Sequence, residues 1–190
     1  MSWHKDHQPV LRRRHTPGDT ELIRRSVRDR IRKLLTSQRF AILCTQGLAQ
    51  PYASIVGFAA SDDLKSIYFS TPKTTRKYRL LTRCSKVAIQ ADNRSHFPKK
   101  FMSVESVTAT GKAGAIKGRK ESLAVADILR KRHPYLKSFF HSPTCALIRV
   151  RVLRYLHVSR FQEVGQWIPD RRRSFRSKKL GFQICRASEC

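Results

Sequence analysis

Apolar residues recur along this chain at two different periods. From Thr20 to Ser37, the residues Leu22, Ile23, Val27, Ile31, Leu34 and Leu35 fall at helical spacing with arginines on the other face. Phe40-Ala41-Ile42-Leu43-Cys44-Thr45 then reads as a strand, and Gln46-Gly47 opens a turn. Two further strand-like runs, 51–60 and 66–71, flank the polar turn Ser61-Asp62-Asp63 and predict a hairpin. A short helix is expected over Thr74–Thr82, a fourth strand over Lys86–Asp92, and a polar connection over Asn93–Glu105. Ser106–Lys117 alternates as a fifth strand, residues 119–132 form a second amphipathic helix ending before His133-Pro134, and Cys145–Phe161 contains a long sixth strand. Six strands with few helices predict a mainly β chain with peripheral helices, closed as a small antiparallel barrel.

The 190 residues fit one domain with extensions. Residues 1–18 are polar and interrupted by Pro9, Pro17 and Gly18, which predicts a flexible basic arm. The barrel is expected over 19–168, with Thr16 or Asp19 capping its first helix, and 169–190 is read as a basic C-terminal tail. No apolar run is long enough to span a bilayer, and the N-terminus lacks the apolar segment of a leader peptide. A cytoplasmic protein without membrane contact is the expectation.

The formal charge of +27 changes the picture only after it is divided along the chain. Residues 1–39 hold 11 Lys+Arg against 4 Asp+Glu, the tail 169–190 holds 7 against 2, and the middle holds the remaining 22 against 7. A field spread in this way attracts polyanions and steers small anionic molecules equally well, so charge alone does not choose between them. The dense run Arg171-Arg172-Arg173, Arg176, Lys178-Lys179 reads either as a solubilising tail or as an anionic-surface contact.

The five cysteines form no pair at zinc spacing, which argues against a metal site. His96 and His157 are isolated from carboxylates and nucleophiles in sequence and read as surface or structural residues. Phe139, Phe140, Tyr155, Phe161 and Trp167 read as core or subunit interface.

The strongest local chemistry follows the third strand. Its run breaks at Pro72 into Lys73, Thr74, Thr75, Arg76 and Lys77. Cations, hydroxyls and the free N–H groups of a starting helix all donate to a multiply charged anion, so this stretch predicts a phosphate site.

Pro51-Tyr52-Ala53-Ser54-Ile55-Val56, then Phe69-Ser70-Thr71 followed by Thr75-Arg76-Lys77, resembles the pyridoxamine 5′-phosphate oxidase-like family of FMN-binding split barrels. The resemblance covers about residues 20–163 and implies a six-stranded antiparallel split β-barrel. It implies FMN as cofactor, with Thr71, Thr75, Arg76 and Lys77 on the flavin phosphate. The backbone of the second strand, Ser54, Ile55 and Val56 onward, would lie along the ring edge, and Ser106 would touch the ring from a partner subunit. A homodimeric flavoprotein, an oxidoreductase acting on a small-molecule substrate or electron donor, is the implied function.

Two family elements are absent. Where pyridoxamine phosphate oxidases carry an Arg-x-x-x-x-Lys pattern on the second strand, this chain has Ser54 and Ala59, and its tail has no Arg-x-His. The resemblance therefore reaches the cofactor and not the substrate, and no side chain stands out as catalytic. Two alternatives stay open: a basic small barrel that binds nucleic acid, and a haem-binding protein on the same barrel.

Overall fold

The computed structural model describes residues 17–47, 50–136, 139, 142–160 and 163–169, with side chains described from Arg25 onward. Residues 1–16 of the expected arm 1–18, the cap at Thr16, and residues 170–190 of the expected tail 169–190 lie outside the described residues, while Pro17 and Gly18 are helical. Helix α1 (Pro17–Ser37) begins at a proline, which the sequence reading took as a breaker. Proline is tolerated in the first turn because its missing N–H would have no helical partner there. Ile31, Leu34 and Leu35 are the buried face of α1, at the expected spacing.

Strands β1 (Phe40–Gly47), β2 (Gln50–Ala60) and β3 (Ser66–Pro72) follow, then helix α2 (Arg76–Arg83). Strands β4 (Lys86–Asp92) and β5 (Glu105–Ala115), helix α3 (Arg119–Arg132) and strands β6 (Cys145–Ser159) and β7 (Glu163–Trp167) complete the order. Every strand pair is antiparallel and the sheet runs β3-β2-β1-β4-β5-β6-β7. A further pairing of β3 with β6 closes the first six strands into a barrel. Leu43, Phe58, Ile67, Phe69, Ile89, Val107, Ile148 and Val150 fill its interior and are almost fully buried.

Strand β6 serves two partners in succession. Its residues 145–151 pair with β3, and its residues 155–159 pair with β7, so β7 takes over where β3 ends. The strand β7 was missed because Glu163-Val164-Gly165-Gln166-Trp167 is short, polar and centred on glycine. The glycine answers to packing: a Cβ on Gly165 would stand 2.8 Å from a methyl of Val27 on α1. Where β5 meets β6, the register shifts between Thr110 and Gly111, and a Cβ on Gly111 would approach the Arg151 carbonyl oxygen to 2.4 Å.

The β2–β3 hairpin turns through hydrogen bonds of its own polar residues. Ser61 Oγ donates to Asp63 Oδ1 (2.6 Å), and Asp63 Oδ1 also accepts from Lys65 N–H (3.0 Å). These bonds hold the Asp63 carboxyl below its usual range. Leu64 adopts the left-handed region (φ 59°) although it is not glycine. Its buried side chain and the Tyr155 hydroxyl bonded to its carbonyl (2.9 Å) hold it there.

Helix α3 is tied back by its last residue, Arg132, and by its C-cap, His133. Arg132 donates to the carbonyls of Leu35 (2.6 Å) and Thr36 (3.0 Å) in the last turn of α1 and to that of Gln38 just beyond it. Next to it, His133 Nε2 donates to the Phe58 carbonyl of β2 (2.9 Å), which fixes the tautomer. Burial pushes the His133 pKa down, with the Phe58 bond opposing and the Arg132 and Arg39 charges adding to the shift.

Candidate functional site

The barrel is closed along only part of its length. Strands β2 and β3 are paired at Phe58–Ala60 with Ile67–Phe69, while the earlier part of β2 pairs with β1 alone. Beyond Phe58 and Phe69 the two strands separate, and a cavity of about 220 Å³ occupies the split. Ile55, Val56 and Gly57 line it from β2, Ser70, Thr71 and Pro72 from β3, and Thr75 and Lys77 from the start of α2. Leu136 and Phe139, which follow α3, form the remaining wall.

Three of the four residues expected on the phosphate, Thr71, Thr75 and Lys77, converge here. Thr71 is 1% exposed, and its hydroxyl lies 2.9 Å from that of Thr75. Thr75 is the N-cap of α2: its hydroxyl accepts from Tyr78 N–H (3.3 Å) and donates to the Pro72 carbonyl (2.9 Å). A hydroxyl has one proton, so Thr71 is the donor in the Thr71–Thr75 contact. Both hydroxyl protons are thus engaged internally, and an anion gains one of them only by rotating a hydroxyl out of this chain.

Lys77 Nζ donates to the Ile55 carbonyl (3.0 Å) across the split, and burial pulls its pKa below the ordinary lysine value. The positive charge therefore sits at the cavity wall, on a carbonyl that a competing anion can displace. Arg76 does not line the cavity; its guanidinium lies 4.9 Å from the Tyr52 ring centroid. Helix α2 carries no acidic residue in its first turn, so nothing there opposes an anion at its N-terminus.

One hydroxyl that the sequence did not single out as a phosphate ligand, that of Ser70, changes the chemistry of the split. Among the described residues, the buried Oγ atoms of Ser54 and Ser70 have no hydrogen-bond partner. Ser70 lines the cavity, and a buried hydroxyl without a partner costs about 1–3 kcal/mol that a bound acceptor would recover. Ser70 stood inside the motif, next to Thr71, so its position was visible but its orphaned state was not. Leu136 and Phe139 lie 59 and 62 residues beyond Lys77 in the chain, and the docking of α3 brings them in.

Ser106 lies apart from these residues on one chain. It is half-buried on β5, opposite Asp92 and Val158, and does not line the split. Between the split and Asp92 runs a second groove of about 240 Å³, which shares Ile55 with the first cavity. Phe40, Ala41, Ile42, Gln90, Asp92 and Arg94 also line it, and Phe40 and Ile55 remain 61% and 69% exposed.

His96 is exposed, and His157 is buried with Nε2 2.8 Å from Glu105 Oε2, away from the split. Among the described residues, no cluster of His, Cys, Asp and Glu has the arrangement of a metal site, and no helix is long and apolar enough to cross a membrane.

Comparisons with known proteins agree with this architecture. The family model described as Pyridoxamine 5′-phosphate oxidase matches residues 27–159. A haem-binding protein from Mycobacterium smegmatis superimposes with a TM-score of 0.65 at 16% identity, covering 73% of this chain and 56% of that one. Campylobacter jejuni ChuZ gives a TM-score of 0.66 at 11% identity, covering 76% and 60%. An FAD-binding protein from Mesorhizobium loti gives 0.54 at 16% identity, covering 66% and 89%. At these identities the likeness is one of fold. Comparison with curated proteins finds no match.

Proposed function

The chain belongs to the pyridoxamine 5′-phosphate oxidase family, and from that premise we propose that it binds FMN in the split and acts as an FMN-dependent oxidoreductase. The observation that carries the proposal is the convergence of Thr71, Thr75, Lys77 and the orphaned Ser70 hydroxyl on one cavity at the start of α2. That donor set fits a terminal phosphate: a cation, two exchangeable hydroxyls, an unsatisfied buried hydroxyl and the first N–H groups of a helix. Arg76, held over Tyr52 at the rim, adds charge from outside.

Bound flavin would supply the hydride or electron chemistry. The chain's own residues would bind and orient. Lys77 would exchange the Ile55 carbonyl for phosphate, which frees that carbonyl at the edge of β2. The apolar groove over Phe40, Ile42 and Ile55 adjoins the phosphate cavity through Ile55 and offers the ring a flat surface beside the β2 backbone of Ser54, Ile55 and Val56. Gly57 leaves room for the His133 ring, which a Cβ there would meet at 3.4 Å, and His133 braces the strand through Phe58. A second copy of the chain, packed on the exposed Phe40 and Ile55, would exclude water from the groove and bring its own Ser106 to the ring.

Haem is the weaker reading of this cavity. Among the described residues its lining contains no His, Cys, Met or Tyr to serve as an axial ligand, and the Nε2 of His133 is engaged with the Phe58 carbonyl.

An absorbance spectrum over roughly 350–500 nm, where flavin and haem each show, tests the proposal. Purified protein is expected to carry or take up FMN. A protein that stays colourless after FMN is added, or that takes up haem instead, refutes it.

A further inference from the structure

Flavin binding uses few of the 40 Lys and Arg residues. Strand register gathers some of the others into a line. Lys86 on β4 stands opposite Lys112 on β5, and Lys112 stands opposite Arg151 on β6. All three are exposed on the outer face of the barrel. Adjacent strands are about 4.8 Å apart, so the three charges cross the sheet within about 10 Å. Arg154 follows on β6 beyond the bulge, also exposed, and Arg149 stands opposite Gly114 on the other side of the row.

Like charges placed directly opposite on neighbouring strands destabilise a sheet. Here the register imposes two such pairs in succession. Among the described residues, Glu121 of α3 is paired with Arg149 rather than with Lys112 or Arg151. Small side chains leave a shallow groove of about 240 Å³ beside the charges, formed by Ser85 and residues 113–116 and flanked by Lys112, Arg149 and Arg151. The space above Gly114 is open: an added Cβ would meet no atom within 4 Å.

We propose that this groove binds the phosphodiester backbone of nucleic acid without reading its sequence. A single small anion can neutralise one end of the row, whereas a backbone with regularly spaced phosphates can follow all of it. The overall charge of +27 would supply the long-range attraction. Among the described residues no aromatic side chain lines the groove, so they offer no platform for stacking bases, and the contact is to phosphates. One exposed apolar side chain, Leu153, borders the row, too little for insertion into a bilayer. The groove shares no residue with the cavity in the split, so the proposal stands independently of flavin.

The test is fluorescence anisotropy of the full-length chain on a labelled DNA duplex of about 20 base pairs, with the slope of log affinity against log salt as the readout. Four proteins are compared: the wild type, Lys112→Gln/Arg151→Gln, Lys112→Gln alone, and a control, Arg30→Gln/Lys33→Gln, which removes two exposed charges from α1. Each phosphate contact contributes about 0.9 to the slope, so the groove variant is expected to lose nearly ~2 units and the control less than ~0.5. Lys112→Gln alone, expected to lose about one unit, keeps the test decisive if the double variant folds poorly. At low salt the groove variant should also melt higher than the wild type, a gain that fades near ~1 M salt as the repulsion is screened. Equal slope changes in both double variants would mean a diffuse field and overturn the proposal. So would an unchanged slope in the groove variants, or binding to phosphatidylserine vesicles without binding to the duplex.

Discussion

Replacing Thr75 by alanine separates the two roles of its hydroxyl. Thr75 caps α2 by accepting from Tyr78 N–H, and it is the acceptor for the Thr71 hydroxyl. Losing the cap costs about 1 kcal/mol. Leaving the 1%-exposed Thr71 hydroxyl without its acceptor costs a further ~1–3 kcal/mol. Together these give about 2–4 kcal/mol, which for a chain of this length lowers the melting temperature by about 4–16 °C. Thr71→Ala leaves the cap intact and removes one hydrogen bond, a loss of about 1 kcal/mol. In the double variant no orphaned hydroxyl remains, so its loss should fall short of the sum of the single losses by about 1 kcal/mol or more. Thr75→Ser keeps the cap and the acceptor and should stay near wild type. The assay is chemical denaturation of the four proteins without added flavin. A Thr75→Ala loss below about 0.5 kcal/mol, or strict additivity in the double variant, would refute the assigned direction of the Thr71–Thr75 bond.

Lys77→Met should weaken FMN binding by about 10- to 150-fold, the loss of one charge-assisted bond, as read by fluorescence titration. Ser70→Ala should act in opposite directions, raising the stability of the flavin-free protein by about 1 kcal/mol while weakening FMN, because it deletes an orphaned hydroxyl that the phosphate would satisfy. His133 has a folded-state pKa below its unfolded value of 6.5. Its contribution is therefore complete above pH 6.5 and is lost as the pH falls through the lowered folded value, because the unfolded chain takes up the proton first. His133→Gln, which can keep the donor to Phe58, should flatten that acid limb in melting curves. Gly111→Ala should destabilise by about 3 kcal/mol or more, since the obstacle is the backbone carbonyl of Arg151 rather than a side chain that can move. A melting temperature within a degree of wild type would contradict that close approach.

Much of this fold could be read from the order of apolar positions, because most strands here have one face on a single core. β3 alternates between buried and half-buried positions throughout, and Ile67, Phe69 and Thr71 point inward as a two-residue period requires. The signal failed where packing, not pattern, decides. Gly165 in β7 is dictated by Val27, a residue 138 positions away that no local window contains. The start of α2 was predicted at Thr74 and lies at Arg76, because Thr75 acts as the cap and not as a helical residue. At the site, the residue types of Thr71, Thr75 and Lys77 were enough to suggest phosphate. Their mutual hydrogen bonds, which decide how many donors remain for a ligand, depend on side-chain rotation that sequence does not encode. Arg76 shows the limit of motif reasoning, since its guanidinium lies over Tyr52 instead of lining the cavity.

The split itself follows from unequal strand lengths. β2 has 11 residues and β3 has 7, and their pairing begins only at Phe58 and Phe69. On the other side, β6 uses its first half for β3 and its second half for β7. The first half of β2 is thus paired with β1 and left with an open edge towards β3. An open edge leaves main-chain groups unpaired and invites association with another strand. Two features of this chain oppose that outcome. Pro51 lies in the open portion, where a missing N–H costs least, and Lys77 reaches across to the Ile55 carbonyl. The second device explains why the proposed site sits where it does. A lysine drawn to an unpaired carbonyl is a cation held at a cavity by a neutral acceptor, and a phosphate is the stronger partner for it. On this argument the device that protects the empty edge is the same side chain that would take the ligand. Lys77→Met should therefore have a second consequence: without flavin, the variant should self-associate or aggregate more readily than the wild type in light scattering. Equal scattering from the two proteins would show that the edge needs no such guard.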